Sequence, residues 1–230
     1  MKIIIFSIFP LMLSIHAQAA VIDNFASGNQ AIFRESSWDS PPIRSEVPIS
    51  DSLFESRFVS LSYGSSQSLT VTNSGQVLEY QVGLGEGGYF DISYRSRTPV
   101  NLLGAGATAF RFHFDGGYID GERSSPRFPN NLALVTVAGR ATSPLWGDRL
   151  RTATDENQGP FIIDAPFSEF IGAVDLTQVT ELTFSGSRIF HRVGFRLTRI
   201  ETIPEPSLVG IFLIGALPFF LKRSRIGKAP

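Results

Sequence analysis

The sequence predicts an all-β protein: one antiparallel β-sandwich of jelly-roll type, flanked by an N-terminal signal peptide and a short C-terminal hydrophobic helix. Three observations carry that expectation. Apolar residues through the middle of the chain recur with a period of two, Gly- and Asn-rich turns separate the runs, and no stretch between Ala20 and Ile203 has the period of a long amphipathic helix.

The elements follow in chain order. Val21-Ile22-Asp23-Asn24-Phe25 opens the body as a short strand. Ser68–Thr72 and Gln76–Val82 flank "TNSG" and read as a tight hairpin, and a second hairpin is expected over 76–95 with "GLGEGG" as its turn. Phe90, Ile92 and Tyr94 alternate with Asp91, Ser93 and Arg95, the mark of a half-buried strand. Phe110, Phe112 and Phe114 alternate with Arg111 and His113, and "DGG" after them reads as a turn. Leu132–Ala138, Phe161–Asp164 and Thr180–Ser185 are further strands, with one short helical turn over Pro166–Ile171. Val193, Phe195 and Leu197 close the body, after the turn "FSGS". Twenty phenylalanines suffice to fill the space between two sheets, each buried ring contributing about 1.5–3 kcal/mol.

The chain has 230 residues, 43% hydrophobic and 18% charged, a globular composition. Its lysines (Lys2, Lys222, Lys228) all lie in the terminal segments, so the body from Ala20 to Ile203 carries fifteen arginines against twenty carboxylates, a net of −5. That sign gives no attraction for nucleic acid. There is no cysteine, so the body stands without disulfides and thiol chemistry is excluded.

The ends are processing segments. Met1-Lys2, the apolar run Ile3–Ile15 and the small residues Ala17 and Ala19 form a secretory signal peptide, with cleavage expected after Ala19. At the other end Pro204-Glu205-Pro206 is a stiff, extended tripeptide, because each proline fixes φ and Pro206 keeps Glu205 out of a helix. Ser207–Leu221 is then uncharged, and Lys222, Arg223, Arg225 and Lys228 follow. Fifteen helical residues rise about 22 Å, short of a hydrocarbon core of about 30 Å, and Pro218, Gly210 and Gly215 weaken that helix. The cations hold the end on the cytoplasmic side. The segment is built to stall in a membrane, not to span it permanently.

In this order, tripeptide, short apolar helix and basic end resemble the PEP-CTERM sorting signal of Gram-negative bacterial exported proteins. The resemblance implies that Pro204, Glu205 and Pro206 are read by an exosortase, a multi-pass membrane protease/transpeptidase, while residues 207–221 retain the chain in the membrane. The body also looks like a recurring body of that family, through "VIDNF", "SLTVTNSG", "GATAFRFHFD" and "FSEFIGAVDLTQVTELTF". Such bodies are similar to galactose-binding-like and carbohydrate-binding sandwiches. The organisation is then a signal peptide (1–19), a β-sandwich domain (20–203) and a sorting signal (204–230).

Within the body four constellations carry chemistry. Gly83, Gly85 and Gly88 match a dinucleotide fingerprint in spacing, but the residues after them read as a strand where the fingerprint needs a helix. His113 and His191 lack metal-ligand spacing and read as strand-face residues. Asp115, Asp120 and Glu122 crowd "DGGYIDGE", which reads as a solvated acidic turn or as an oxygen-rich loop able to hold Ca2+. Trp38 and Trp146 stand in "ESSWDSPP" and "SPLWGDRL", which read as loops: either they stack sugar rings beside Asp and Arg, or they plug an end of the sandwich.

The expectation is an exported, non-catalytic protein of the envelope or extracellular matrix, structural or adhesive in role. It meets signal peptidase and exosortase during export, the membrane through residues 207–221, and extracellular polysaccharide thereafter. The alternatives are a calcium-stabilised carbohydrate-binding module and a secreted glycoside-active enzyme, the last needing two carboxylates that face one cleft.

Overall fold

The computed structural model describes residues 19–35, 40–64, 66–83, 88–120, 131–144, 146–156, 159–186 and 192–204. Within them the chain builds β1 (Ala20–Asp23), β2 (Gln30–Arg34), β3 (Ile43–Pro48), β4 (Ser56–Gly64), β5 (Gln67–Thr72), β6 (Val77–Val82), β7 (Gly88–Val100), β8 (Ala107–Asp120), β9 (Asn131–Thr136) and β10 (Gly139–Ser143). Helix α1 (Trp146–Glu156) follows, then β11 (Phe161–Pro166), β12 (Ile171–Gly172), β13 (Val179–Gly186) and β14 (Arg192–Pro204). Short 3-10 turns lie at Gly104–Gly106 and at Phe167–Glu169, the second inside the turn expected after Pro166.

Two seven-stranded antiparallel sheets face each other. The first runs β11-β8-β14-β6-β5-β2, with β1 on the far half of β14; the second runs β12-β10-β9-β13-β7-β4-β3. The all-β sandwich read from the period-two runs is therefore present, and the chain crosses repeatedly from sheet to sheet. The hairpin over residues 67–82 forms as expected, β5 against β6. The second expected hairpin does not: β6 pairs with β5 and β14, whereas β7 pairs with β13 and β4 in the other sheet. Turn chemistry announces a reversal of direction, but the choice of sheet depends on which long-range partner is free.

Two further readings are corrected. "DGG" is not a turn, because β8 continues through it to Asp120, paired with β14 from Arg192 to Pro204; the glycines sit at a register shift, Gly116 at φ 137°. "SPLWGDRL" is not wholly a loop, because Trp146 begins an eleven-residue helix. Its apolar anchors, Trp146 and Leu150, lie one turn apart and both are buried. So short a helix is held by packing, not by its own propensity. β14 runs on to Pro204, the first residue of the tripeptide.

Inward residues of both sheets make one core. Phe195 of β14 meets Phe184 of β13 at 5.6 Å and Phe90 of β7 at 5.5 Å between ring centroids, and Phe112 of β8 meets Phe184 at 6.1 Å. At one edge of this core lies a buried polar staple. Arg57 (0% exposed) places Nη1 2.5 Å from Asp23 Oδ2 (3% exposed), and its Nε donates to Gln30 Oε1 at 2.7 Å. Its Nη2 donates to the carbonyls of Ser27 and Gly28, and the guanidinium stands over the Phe25 ring at 5.5 Å. Asp23 Oδ1 accepts the Phe25 N–H at 2.7 Å. The "VIDNF" motif is thus a clasp that binds the N-terminal strand to the second sheet. Burial pushes the Asp23 carboxyl up, and the Arg57 charge pulls it back.

Candidate functional site

The outer faces of the two sheets differ in kind. On the first sheet, charges are paired with one another. Arg111 grips Asp164 through Nε and Nη2, both at 2.8 Å, and Arg196 meets Asp115 at 2.9 Å. Glu201 takes His113 Nε2 at 2.9 Å on one oxygen and Arg199 Nε at 2.7 Å on the other. His113 is therefore a strand-face residue hydrogen-bonded within this charged ladder.

The second sheet presents a mixed surface. Its register puts Arg140, Val135, Glu181, Arg95, Ser56 and Pro48 in one row across five strands and the β3 edge. Two rows further along the same face, beyond Ser93 and Thr183, come Ser185, Asp91, Ser60 and Arg44. Alternation sends Phe90, Ile92 and Tyr94 of β7 into the core and leaves Tyr89, Asp91 and Arg95 on the outside. Arg95 lies over the Phe58 ring at 4.2 Å and meets Glu181 at 3.3 Å. Ser93 and Thr183 share a hydrogen bond of 3.0 Å. Partial burial pushes the Asp91 carboxyl up, and the charge of Arg140 opposes it.

At one end of this face stands an aromatic pair. Tyr63 is 46% exposed and meets Tyr89 edge-on, with ring centroids 6.0 Å apart. A strand of ideal register would turn residue 63 toward the core. Instead the β4–β7 pairing shifts between Ser62 and Gly64, and Tyr63 adopts φ 49°, left-handed backbone that costs a bulky residue on the order of 1–3 kcal/mol. What holds it there is Gln67 (1% exposed), whose Nε2 donates to the Tyr63 carbonyl at 2.9 Å while its Oε1 accepts the Tyr80 hydroxyl at 3.0 Å. Gly88 makes room, since a Cβ there would stand 2.8 Å from Gln67 Oε1. At the other end of the face a cleft of about 530 Å³ is lined by Glu46, Glu55, Ser56, Arg95, Ser96 and Arg97.

Trp146 is not offered for stacking: it is 0% exposed and packs 4.3 Å from Phe112 and 5.4 Å from Phe184, closing the sandwich from inside. Trp38 lies outside the described residues. Asp115 and Asp120 do not share a loop; they stand five residues apart on β8. Glu122 lies outside the described residues, and among those described no three acidic or histidine side chains are grouped for a metal. Gly88 opens a strand, so the glycine spacing has no helix after it, while Gly85 and His191 lie outside the described residues. Ala19 directly precedes β1, where Ala20 pairs with Thr202 and donates its N–H to Thr202 Oγ1 at 3.3 Å. Pro204 ends β14, opposite Ala107; Ala17, Glu205, Pro206 and the segment from Ser207 lie outside the described residues. Among the described residues no helix is long and apolar enough to cross a membrane.

The aromatic pair was not singled out in the sequence. Tyr63 and Tyr89 are 26 residues apart, and their meeting depends on the β4–β7 register. The local signal was "SYGSSQ", a tyrosine followed by glycine and small polar residues at a strand end.

No family model matches the chain, and no curated protein does. Among solved structures, the chain is similar to the family 11 carbohydrate-binding module of the cellulosomal cellulase Lic26A-Cel5E of Clostridium thermocellum. Identity is 12%, the TM-score 0.40, and the match covers 81% of this chain and 95% of that one. The module in complex with a β-1,3-1,4-mixed-linked tetrasaccharide gives the same values. An exo-β-agarase is similar at 10% identity and TM-score 0.33, over 76% of this chain and 25% of that one.

Proposed function

We propose that this chain is an exported, non-catalytic sandwich protein that binds polysaccharide in the extracellular matrix of the envelope. In this reading it is secreted by its N-terminal signal, held briefly at the inner membrane by residues 207–221, and released by an exosortase acting at Pro204-Glu205-Pro206. The order of segments in the sequence supports the sorting half of the proposal. Intact mass of the protein from its native host tests it. A mature species starting at Ala20 and ending near Pro204 is expected; a stable membrane species that keeps residues 207–221 overturns it.

The Tyr63–Tyr89 pair beside Asp91 carries the binding half. A tyrosine ring offers an apolar face to the C–H side of a sugar, while carboxylate and guanidinium groups exchange hydrogen bonds with its hydroxyls. Backbone strain at an exposed aromatic, maintained by a buried glutamine, belongs with function more readily than with stability. Binding of this kind calls on no cofactor. Affinity electrophoresis through gels containing single polysaccharides is the test. Retardation by at least one glycan is expected, and it is lost in Tyr63→Ala, Tyr89→Ala and Asp91→Asn proteins with unchanged melting curves. If those variants are retarded as strongly as the parent, the site is elsewhere.

One observation favours a second reading. Glu46 and Glu55 line the same cleft, and a glycoside-active enzyme requires two carboxylates on one cleft. Reducing ends released from a bound glycan, and abolished by Glu46→Gln or Glu55→Gln, select that reading; retention without release selects the first.

A further inference from the structure

The charge on the proposed binding face is balanced. Arg44, Arg95 and Arg140 stand on it against Glu46, Asp91 and Glu181, and all but Glu46 lie within electrostatic reach of Asp91. The body as a whole is acidic, fifteen arginines against twenty carboxylates. The face is also long. From Tyr89 to Arg95 is six residues of β7, about 20 Å, with the aromatic pair at one end and the cleft of about 530 Å³ at the other.

We infer that the ligand is a neutral, linear polysaccharide that lies along β7, from the Tyr63–Tyr89 pair past Asp91 to the cleft beside Arg95 and Arg97. The inference rests on the glycan-binding reading above and gives it a chemical class and a direction. A polyanion is disfavoured twice. The body's net negative charge repels it at long range, Arg95 is already paired with Glu181, and Arg44 and Arg140 share the field of Asp91. A neutral polyol meets no such conflict: each hydroxyl donates to a carboxylate and accepts from a guanidinium, so intermixed charges of both signs are useful to it. The cleft lies within the about 300–1,000 Å³ range of small-molecule sites, so an end of the bound segment has somewhere to sit.

The test uses the full chain on a panel of neutral polymers (laminarin, mixed-linkage β-glucan, xylan, agarose, dextran) and acidic ones (alginate, polygalacturonate), at low and moderate salt. Retention by a neutral polymer, insensitive to salt, is expected. Graded oligomers of that polymer should bind more tightly with length until about 20 Å is spanned. Arg97→Ser should remove on the order of tenfold from the longest oligomers and leave the shortest unchanged. Retention by alginate or polygalacturonate, weakened by salt, overturns the neutral class while leaving glycan binding intact. Affinity independent of length, or equal losses for short and long oligomers in Arg97→Ser, overturns the placement along β7. Retention by none of the panel defeats the parent reading as well.

Discussion

Gln67 reaches across the rim of the sandwich to the carbonyl oxygen of Tyr63, 2.9 Å away, while its other amide atom is occupied by the Tyr80 hydroxyl. One buried side chain thus couples the core to the most exposed aromatic of the proposed face. Replacing it by Leu leaves a carbonyl and a hydroxyl without their partner. We expect Gln67→Leu to cost about 1–3 kcal/mol in urea unfolding and to weaken glycan retention although residue 67 touches no ligand.

Tyr63 itself separates stability from binding. Asn tolerates left-handed backbone better than a bulky aromatic does, so Tyr63→Asn exchanges relieved strain for a lost edge contact with Tyr89. Unfolding free energy is expected to stay within about 1 kcal/mol of the parent, while retention falls. A collapse of stability in this variant would show that Tyr63 is placed for packing.

Asp23 and Arg57 form a buried pair, and breaking it strands a charge. Asp23→Leu and Arg57→Met should each cost about 3–5 kcal/mol, whereas the double variant Asp23→Leu/Arg57→Met should recover much of the loss. Equilibrium unfolding of the four proteins gives the coupling directly. Additive losses would mean that the clasp acts through separate contacts.

Tyr80 and Tyr94 set the alkaline limit. Burial raises both hydroxyls well above their ordinary value, and the nearby Asp23 charge raises Tyr94 further. Because the folded values lie above the about 10 of an unfolded chain, the stability they contribute is intact below that pH and is lost as pH rises beyond it. In an ultraviolet titration their tyrosinate absorbance should appear together with loss of tertiary signal. Tyr80→Phe should reduce that late step.

Trp146 joins α1 to the core through Phe112 and Phe184. Trp146→Ala should cost about 3–5 kcal/mol, and glycan retention measured well below the lowered melting point should be unchanged. Loss of retention at full folding would return this residue to the binding site.

Much of the fold was legible because alternation is a local property. Phe110, Phe112 and Phe114 announce a strand from their own spacing, and "TNSG" announces its hairpin from turn chemistry alone. The edge strands were harder to see. β3 reads Ile43–Pro48 with exposed or half-exposed residues throughout, so it carries no contrast between an inner and an outer face. The turn expected at "DGG" failed for the opposite reason: glycine permits a reversal without requiring one, and pairing with β14 carries the strand through it at a register shift.

By itself the sequence determined the alternating strands, the acidic lysine-free body and the absence of thiols, since each follows from composition or from residues adjacent in the chain. Only the tertiary structure decided which sheet each strand joined, that Trp146 faces inward, and that Tyr63 meets Tyr89 beside Asp91. Those outcomes depend on register between strands far apart in sequence. A shift of one residue turns every side chain to the opposite face, and no local pattern records which register the packed core selects.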